Sequence, residues 1–338
     1  MLKFGVTILP DPPYTRFLEL TQLAEKAGFD QVWTYDSHIL WHDAYPLLAL
    51  AADRTERVLL GHCVTNPGIR EPTVTASSYA TLQQISNGRM VLGIGRGDSS
   101  RRVVGLEPVP MGEFERSLVM IRELMNGRKV DWNGKELELV WATGQPDIPM
   151  QVAGYGPKAL AVGGRAGDGI IIQLADPGLT AWFMGQARAA ADAAGRDGSK
   201  LEAIVSAPAF IGSDLELARS ETRWFPAMVS NHVVDLLERY DPADLPEPLY
   251  AYVQRRKFYD YKDHSRVGAK HGEFVDDATC DAFSVLGTVS QHIEKLERLV
   301  QAGMTQWNIY LMTQGQEQIL ETYRKQIIPH FRGTKGGR

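Results

Sequence analysis

The chain has 338 residues, 44% of them hydrophobic and 23% charged, the composition of an ordinary globular protein with a sizeable core. Its formal net charge of −5, with no basic run and no Arg/Lys-aromatic stripe, argues against a nucleic-acid or anionic-membrane surface and favours small-molecule chemistry. The cysteines Cys63 and Cys280 have no C-x-x-C spacing, which excludes a disulfide framework or thiolate zinc site and fits a reducing cytoplasm.

The N-terminal run MLKFGVTILPDPP reads as a short strand halted by prolines, without the parts of a signal peptide. No apolar stretch approaches the roughly 18 residues of a membrane span. From there, short β-branched or apolar runs alternate with longer amphipathic segments, the pattern of βα units around a buried parallel sheet. Strands are predicted at Lys3 to Leu9, Gln31 to Tyr35, Val58 to Thr65, Met90 to Ile94, Met150 to Ala153, Gly169 to Gln173, Ala203 to Ile211 and Gln306 to Leu311. A doubly wound sheet satisfies the same alternation, but a count of eight favours an α/β fold of the (β/α)8 TIM-barrel type with insertions.

Helices are predicted at Thr15 to Ala27, Pro72 to Ile85, Met111 to Met125, Pro157 to Arg165, Gly178 to Ala194 and Val289 to Gln301. Gly28, Gly127 and Gly303 stand where left-handed C-caps need them, and Thr288 or Ser290 is placed to cap the last long helix. The chain reads as one domain, residues 1–338, with two insertions. Near 129–141, Asn133-Gly134 has the chemistry of a two-residue hairpin turn. Near 241–283, a stretch rich in Pro, Tyr, Arg, Lys and Asp is longer than an ordinary loop and reads as a lid, the alternative being a solvated surface insertion.

Polar residues at C-terminal strand ends are the ones a barrel turns towards substrate. Asp36, Ser37 and His38 follow the second strand, and His38 is the leading acid/base candidate because imidazole titrates near neutral pH. The competing reading has Asp36 capping a loop and His38 packing. On the third strand, Gly61 and Cys63 suggest a close approach to the backbone, by a flat ring or by barrel packing, and after it Asn66-Pro67-Gly68 signals a turn. The fourth strand ends in GIGRGDS, without the spacing of a dinucleotide fingerprint. Here Arg96 and Asp98 either face a cofactor and its substrate or pair on a turn. In QVAGYGPKAL, Gly154 and Gly156 end a strand and Pro157 opens a helix whose free N–H groups, with Lys158 nearby, suit a phosphate; a purely structural loop is the alternative. Trp33, Trp41, Trp132 and Trp141 are candidates for an aromatic pocket, though large aromatics are more often core. No motif with metal-ligand spacing and no G-x-S-x-G is present, so no catalytic metal and no nucleophile elbow is expected. A barrel hydrolase or aldolase would need a metal cluster or isolated lysine at the strand ends, and a non-catalytic ligand binder is a further alternative.

Four stretches, AEKAGFDQVWTYDSH, RVLLGHCVTNPGIREPTVTASSYATLQQISNGRMVLGIGRGDS, IPMQVAGYGPKALAVGGRAGDGII and VLGTVSQHIEKLERLVQAGM, together resemble the luciferase-like flavin oxidoreductases. Within them they are most similar to the methylenetetrahydromethanopterin reductase-like branch, which uses the deazaflavin coenzyme F420. The resemblance implies a (β/α)8 barrel, commonly a homodimer, that transfers hydride between F420 and a small organic substrate. It also implies a non-prolyl cis peptide, here Cys63-Val64, behind the cofactor ring, with Thr65 and Asn66 at the ring edge. Asp98 then matches the carboxylate near substrate, His38 the acid/base or ring-contacting histidine, and Gly154, Gly156, Pro157 and Lys158 the phosphate loop. Asp36, Ser37 and Arg96 fall beside the ring. Ser37 stands between Asp36 and His38, where the family has the two side by side. The other activity the resemblance allows is an FMN-dependent monooxygenase using O2 and a separate flavin reductase.

Overall fold

The computed structural model describes residues 1–233, 236, 240–254 and 259–333. Its strands are β1 (Lys3–Ile8), β2 (Gln31–Thr34), β3 (Leu59–His62), β4 (Met90–Ile94), β5 (Val130–Trp132), β6 (Lys135–Leu137), β7 (Met150–Ala153), β8 (Gly169–Ile172), β9 (Glu202–Ile211), β10 (Val285–Gly287) and β11 (Gln306–Tyr310). Eight of them pair in parallel in the cyclic order β1-β2-β3-β4-β7-β8-β9-β11, with β11 returning to β1. This is the closed (β/α)8 barrel, and all eight predicted strands are in it. Helices between strands cover the outside, so the strands are buried on both faces and read as continuous apolar runs rather than alternating ones.

The barrel interior explains the glycines. Trp33 on β2 is fully buried, and a Cβ added at Gly61 or Gly93 would stand 2.9 Å or 3.1 Å from its indole. The same added atoms would lie 2.1 Å from the Val91 carbonyl oxygen and 2.0 Å from that of His62. The flat ring that Gly61 admits is therefore the indole of Trp33, a packing partner, which settles that position in favour of close barrel packing. Deeper polar residues bond one another: Asn308 Nδ2 donates to Thr7 Oγ1 at 2.8 Å and to Ser206 Oγ at 3.0 Å.

The helices Pro72–Ile85, Met111–Met125 and Val289–Gln301 have their predicted bounds. Thr288 caps the last in a capping box with Gln291, and Gly28, Gly127 and Gly303 have the positive φ their positions require. β5 and β6 form an antiparallel hairpin around Asn133 and Gly134, both at positive φ. Strand β10 and the helices between β9 and β10 have no counterpart in the sequence reading. They form an excursion that includes Leu215–Thr222, Trp224–Val233, Glu247–Gln254 and Asp277–Phe283, with 255–258 of the lid-like stretch outside the described residues. The excursion ends where it began, because β10 pairs with the last residues of β9, Val285 against Ala209 and Gly287 against Ile211. The Lys295 ammonium fastens that end by donating to the carbonyls of Asp281, Ala282 and Ser284. Among the described residues no helix is long and apolar enough to cross a membrane.

Candidate active site

A cavity of about 660 Å³ opens at the C-terminal ends of the strands. β2 contributes Tyr35, Asp36 and Ser37, β3 the run Cys63 to Asn66, β4 Gly95 to Ser100, β7 Ala153 to Gly156, and β8 Gln173. The helix Trp224–Val233 adds Met228 and His232, and the excursion adds His264.

The wall from β2 to β4 is built by short-range bonds. The Cys63-Val64 peptide is cis, as the resemblance implies, and the regular ladder of β3 stops at His62. Pairing resumes for one bridge: Thr65 N–H donates to Gly93 O at 3.0 Å and Gly95 N–H to Thr65 O at 2.9 Å. The side chains here also bond one another. Thr65 Oγ1 donates to Asp36 Oδ2 at 2.6 Å, and burial raises the Asp36 carboxyl above the usual range while this bond opposes it. Asn66 Nδ2 donates to Ser100 Oγ at 2.9 Å and its Oδ1 accepts from Gly68 N–H, while Ser37 and Ser99 hydroxyls lie 3.3 Å apart. Gly95 leaves the space beside Val64, where an added Cβ would come within 3.2 Å of Val64 Cγ2. Burial raises the Cys63 thiol to about 11, leaving it a neutral neighbour of the Tyr310 hydroxyl.

The polar groups at the other side form a connected chain. Asp98 precedes a short helix, Ser99–Arg102, which the sequence reading did not assign. Its Oδ1 accepts from Arg102 Nε at 2.7 Å and its Oδ2 from Asn231 Nδ2 at 2.6 Å. The ion pair of Asp98 is thus with Arg102, while Arg96 Nε donates to Val109 O. His232 Nε2 lies 3.6 Å from Asp98 Oδ2, and its Nδ1 lies 3.4 Å from the Tyr155 hydroxyl. Tyr155 donates to Gln173 Oε1 at 2.8 Å, and Gln173 Nε2 donates to the Tyr310 hydroxyl. Burial pulls the His232 imidazole below its ordinary value against the opposing charge of Asp98, and it pulls His264 well below.

Gly154, Gly156 and Lys158 line the cavity, and Pro157 opens the helix Pro157–Ala166. Gly156 supplies no side-chain cap to that helix and Pro157 has no N–H, while the Lys158 N–H is taken by the Tyr240 hydroxyl at 3.2 Å; the helix start and the Lys158 side chain both border the opening. The helix start, the lysine and the glycine gap beside Val64 fit a flat-ringed cofactor with a phosphate.

His38 requires correction. It is exposed and does not line the cavity, because the chain turns outward after Ser37. None of the four tryptophans lines it either: Trp33 fills the barrel, Trp41 packs behind Tyr35 and His264, Trp132 lies under Arg116 and Trp141 is largely exposed. The sequence reading missed Tyr155, Gln173, His232 and His264. For His232 one signal existed, since Asn231-His232 are polar residues closing the otherwise apolar run WFPAMVS. Among the described residues no cluster of His, Cys, Asp and Glu could hold a metal ion.

A cavity with convergent polar groups at this end of a closed parallel barrel defines a barrel enzyme. Residues 2–306 match the luciferase-like monooxygenase family, and the chain belongs to that family. It is 31% identical over 313 residues to the 5,10-methylenetetrahydromethanopterin reductase of Methanolobus tindarius, a match covering 90% of this chain and 93% of that one. It is 27% identical over 337 residues to the F420-dependent glucose-6-phosphate dehydrogenase of Nakamurella multipartita, covering 94% and 93%. The solved structure of the coenzyme F420 dependent tetrahydromethanopterin reductase from Methanopyrus kandleri shares the fold, with a TM-score of 0.76 at 23% identity over 98% of this chain and 99% of that one.

Proposed function

We propose that this chain transfers hydride between coenzyme F420 and a small organic substrate. The observation that carries the reading is one cavity holding both a glycine-cleared strand wall, Val64 to Gly95, and a helix start with the Lys158 ammonium. The names of the relatives support F420 over other ring cofactors. Bound there, a deazaflavin supplies hydride chemistry and the protein supplies orientation. The Cys63 to Thr65 wall would hold the ring, and the Lys158 ammonium with the start of the helix after Gly156 would hold the phosphate. Asp98, fixed by Arg102 and Asn231, presents a carboxylate on the substrate side.

A second reading, an FMN-dependent monooxygenase using reduced FMN and O2, draws on the family's own description. Separate fluorescence titrations with FMN and with F420 decide. Tight binding of F420 alone supports hydride transfer, tight binding of FMN with oxygen consumption supports the monooxygenase, and binding of neither overturns both.

A further inference from the structure

Hydrogen-bond directions around His232 fix where its proton sits. Gln173 Nε2 donates to Tyr310, so Gln173 Oε1 is the acceptor presented to Tyr155, whose hydroxyl donates to it at 2.8 Å. With its proton engaged, the Tyr155 oxygen can only accept, and His232 Nδ1 is the group 3.4 Å away. Neutral His232 therefore carries its proton on Nδ1, leaving a lone pair on Nε2.

That lone pair faces a second acceptor, Asp98 Oδ2, at 3.6 Å. Asp98 cannot turn away, because Arg102 and Asn231 hold its two oxygens and Asn231 also reaches the Tyr261 hydroxyl at 2.9 Å. Two acceptors fixed face to face across that distance repel unless a donor joins them. A single O–H or N–H group in the cavity can lie within about 2.8 Å of both. Among the described residues, the other titratable or charged groups turned towards His232 are Arg102, which disfavours its protonation, Tyr155, and His264, whose ring centroid is 6.4 Å away.

We propose that His232 and Asp98 form a proton-transfer pair for substrates whose reacting carbon bears a hydroxyl or an amine. The proposal rests on the hydride-transfer reading. In the oxidative direction the substrate C–H bond breaks and its electron pair leaves as hydride to the oxidised deazaflavin. The O–H or N–H bond breaks as well: its electron pair becomes the second bond of C=O or C=N, and its proton passes to His232 Nε2. The imidazolium so formed is compensated by the Asp98 carboxylate, and reduction returns the same proton. Arg102 and Asn231 are positioning residues for that carboxylate.

The pair is tested on protein carrying ¹⁵N-labelled histidine, with the His232 resonances identified by their loss in His232→Asn. The expected result is an Nδ1–H tautomer at neutral pH and a titration midpoint that falls by about one unit or more in Asp98→Asn. An Nε2–H tautomer in the wild type, or a midpoint that Asp98→Asn does not move, overturns it. A second arm uses F420 titration and a panel of small alcohols and amines. His232→Asn is expected to leave F420 affinity unchanged, to slow an accepted substrate about 10²-fold, and to remove the acid limb of the kcat/KM profile. Unchanged turnover, or no panel member accepted while F420 binds, overturns the substrate class; failure of F420 to bind overturns instead the hydride-transfer reading, and the imidazole titration still judges the pair.

Discussion

The ends of β2, β3 and β4 and the excursion after β9 line one cavity by opposite means. On the first side the wall is largely backbone: Thr65 is bonded to Gly93 and Gly95, and glycines bring strands close to Trp33 and Val64. On the second, side chains do the positioning: Asn231 and His232 reach across to Asp98, and His264 is held by the Tyr259 hydroxyl and packs against Trp41. A backbone wall tolerates almost no added atoms, and a side-chain wall can change its chemistry one residue at a time. Under the proposed function, the cofactor ring would lie against the first and the reacting group of the substrate would meet the second.

The sharpest way to break this comparison is Gly93→Ala. Its Cβ would meet the His62 carbonyl oxygen, a backbone atom that cannot swing aside, so a loss of about 3 kcal/mol or more is expected in denaturant unfolding. An unfolding midpoint near that of the wild type would mean that the wall is not rigid. Next comes acid. Burial lowers His62 to about 3 and His292 to about 4, and it lowers His232 and His264 as well. Each is neutral in the fold where its unfolded counterpart, near 6.5, would bind a proton. Stability is then full above pH 6.5 and falls by a few kcal/mol as the pH drops from 6.5 towards 4. A Tm that is flat across that window would contradict the buried, neutral histidines. Lys158→Ala is expected to weaken F420 binding about tenfold at low salt and less at high salt, with little change in the rate of the bound complex. An unchanged Kd would move the phosphate elsewhere. The smallest effect is that of His38→Ala, which is expected to leave cofactor affinity and turnover within about twofold, the usual range of a surface change. A large loss of turnover would bring His38 back into the mechanism.

The barrel was legible because each strand is a short apolar run between turn signals, and because Pro72, Gly28 and Gly127 act through local chemistry. β3 was read too long, to Thr65, because the residues after His62 keep a strand-like composition while the cis peptide interrupts the ladder. The helix start at Pro157 was legible for the same local reason, Gly-x-Gly-Pro before a helix. His232 was not, since its helix is buried on nearly every face and Pro226 sits within it, so neither an amphipathic period nor a cap marks it. Nor did the sequence reveal that Ser37 is followed by an outward turn, which leaves His38 exposed while His232, nearly two hundred positions away, lines the cavity.

The return of β10 to the side of β9 has a consequence for how such enzymes diverge. A segment that leaves and re-enters at neighbouring points, with Lys295 gripping its last carbonyls, behaves as a cassette in a fixed socket. The entropy of closing a loop grows only slowly with its length, so cassettes of different sizes fit the same socket at similar cost. The part that closes this side of the cavity can thus change in size while the barrel and its glycines stay as they are.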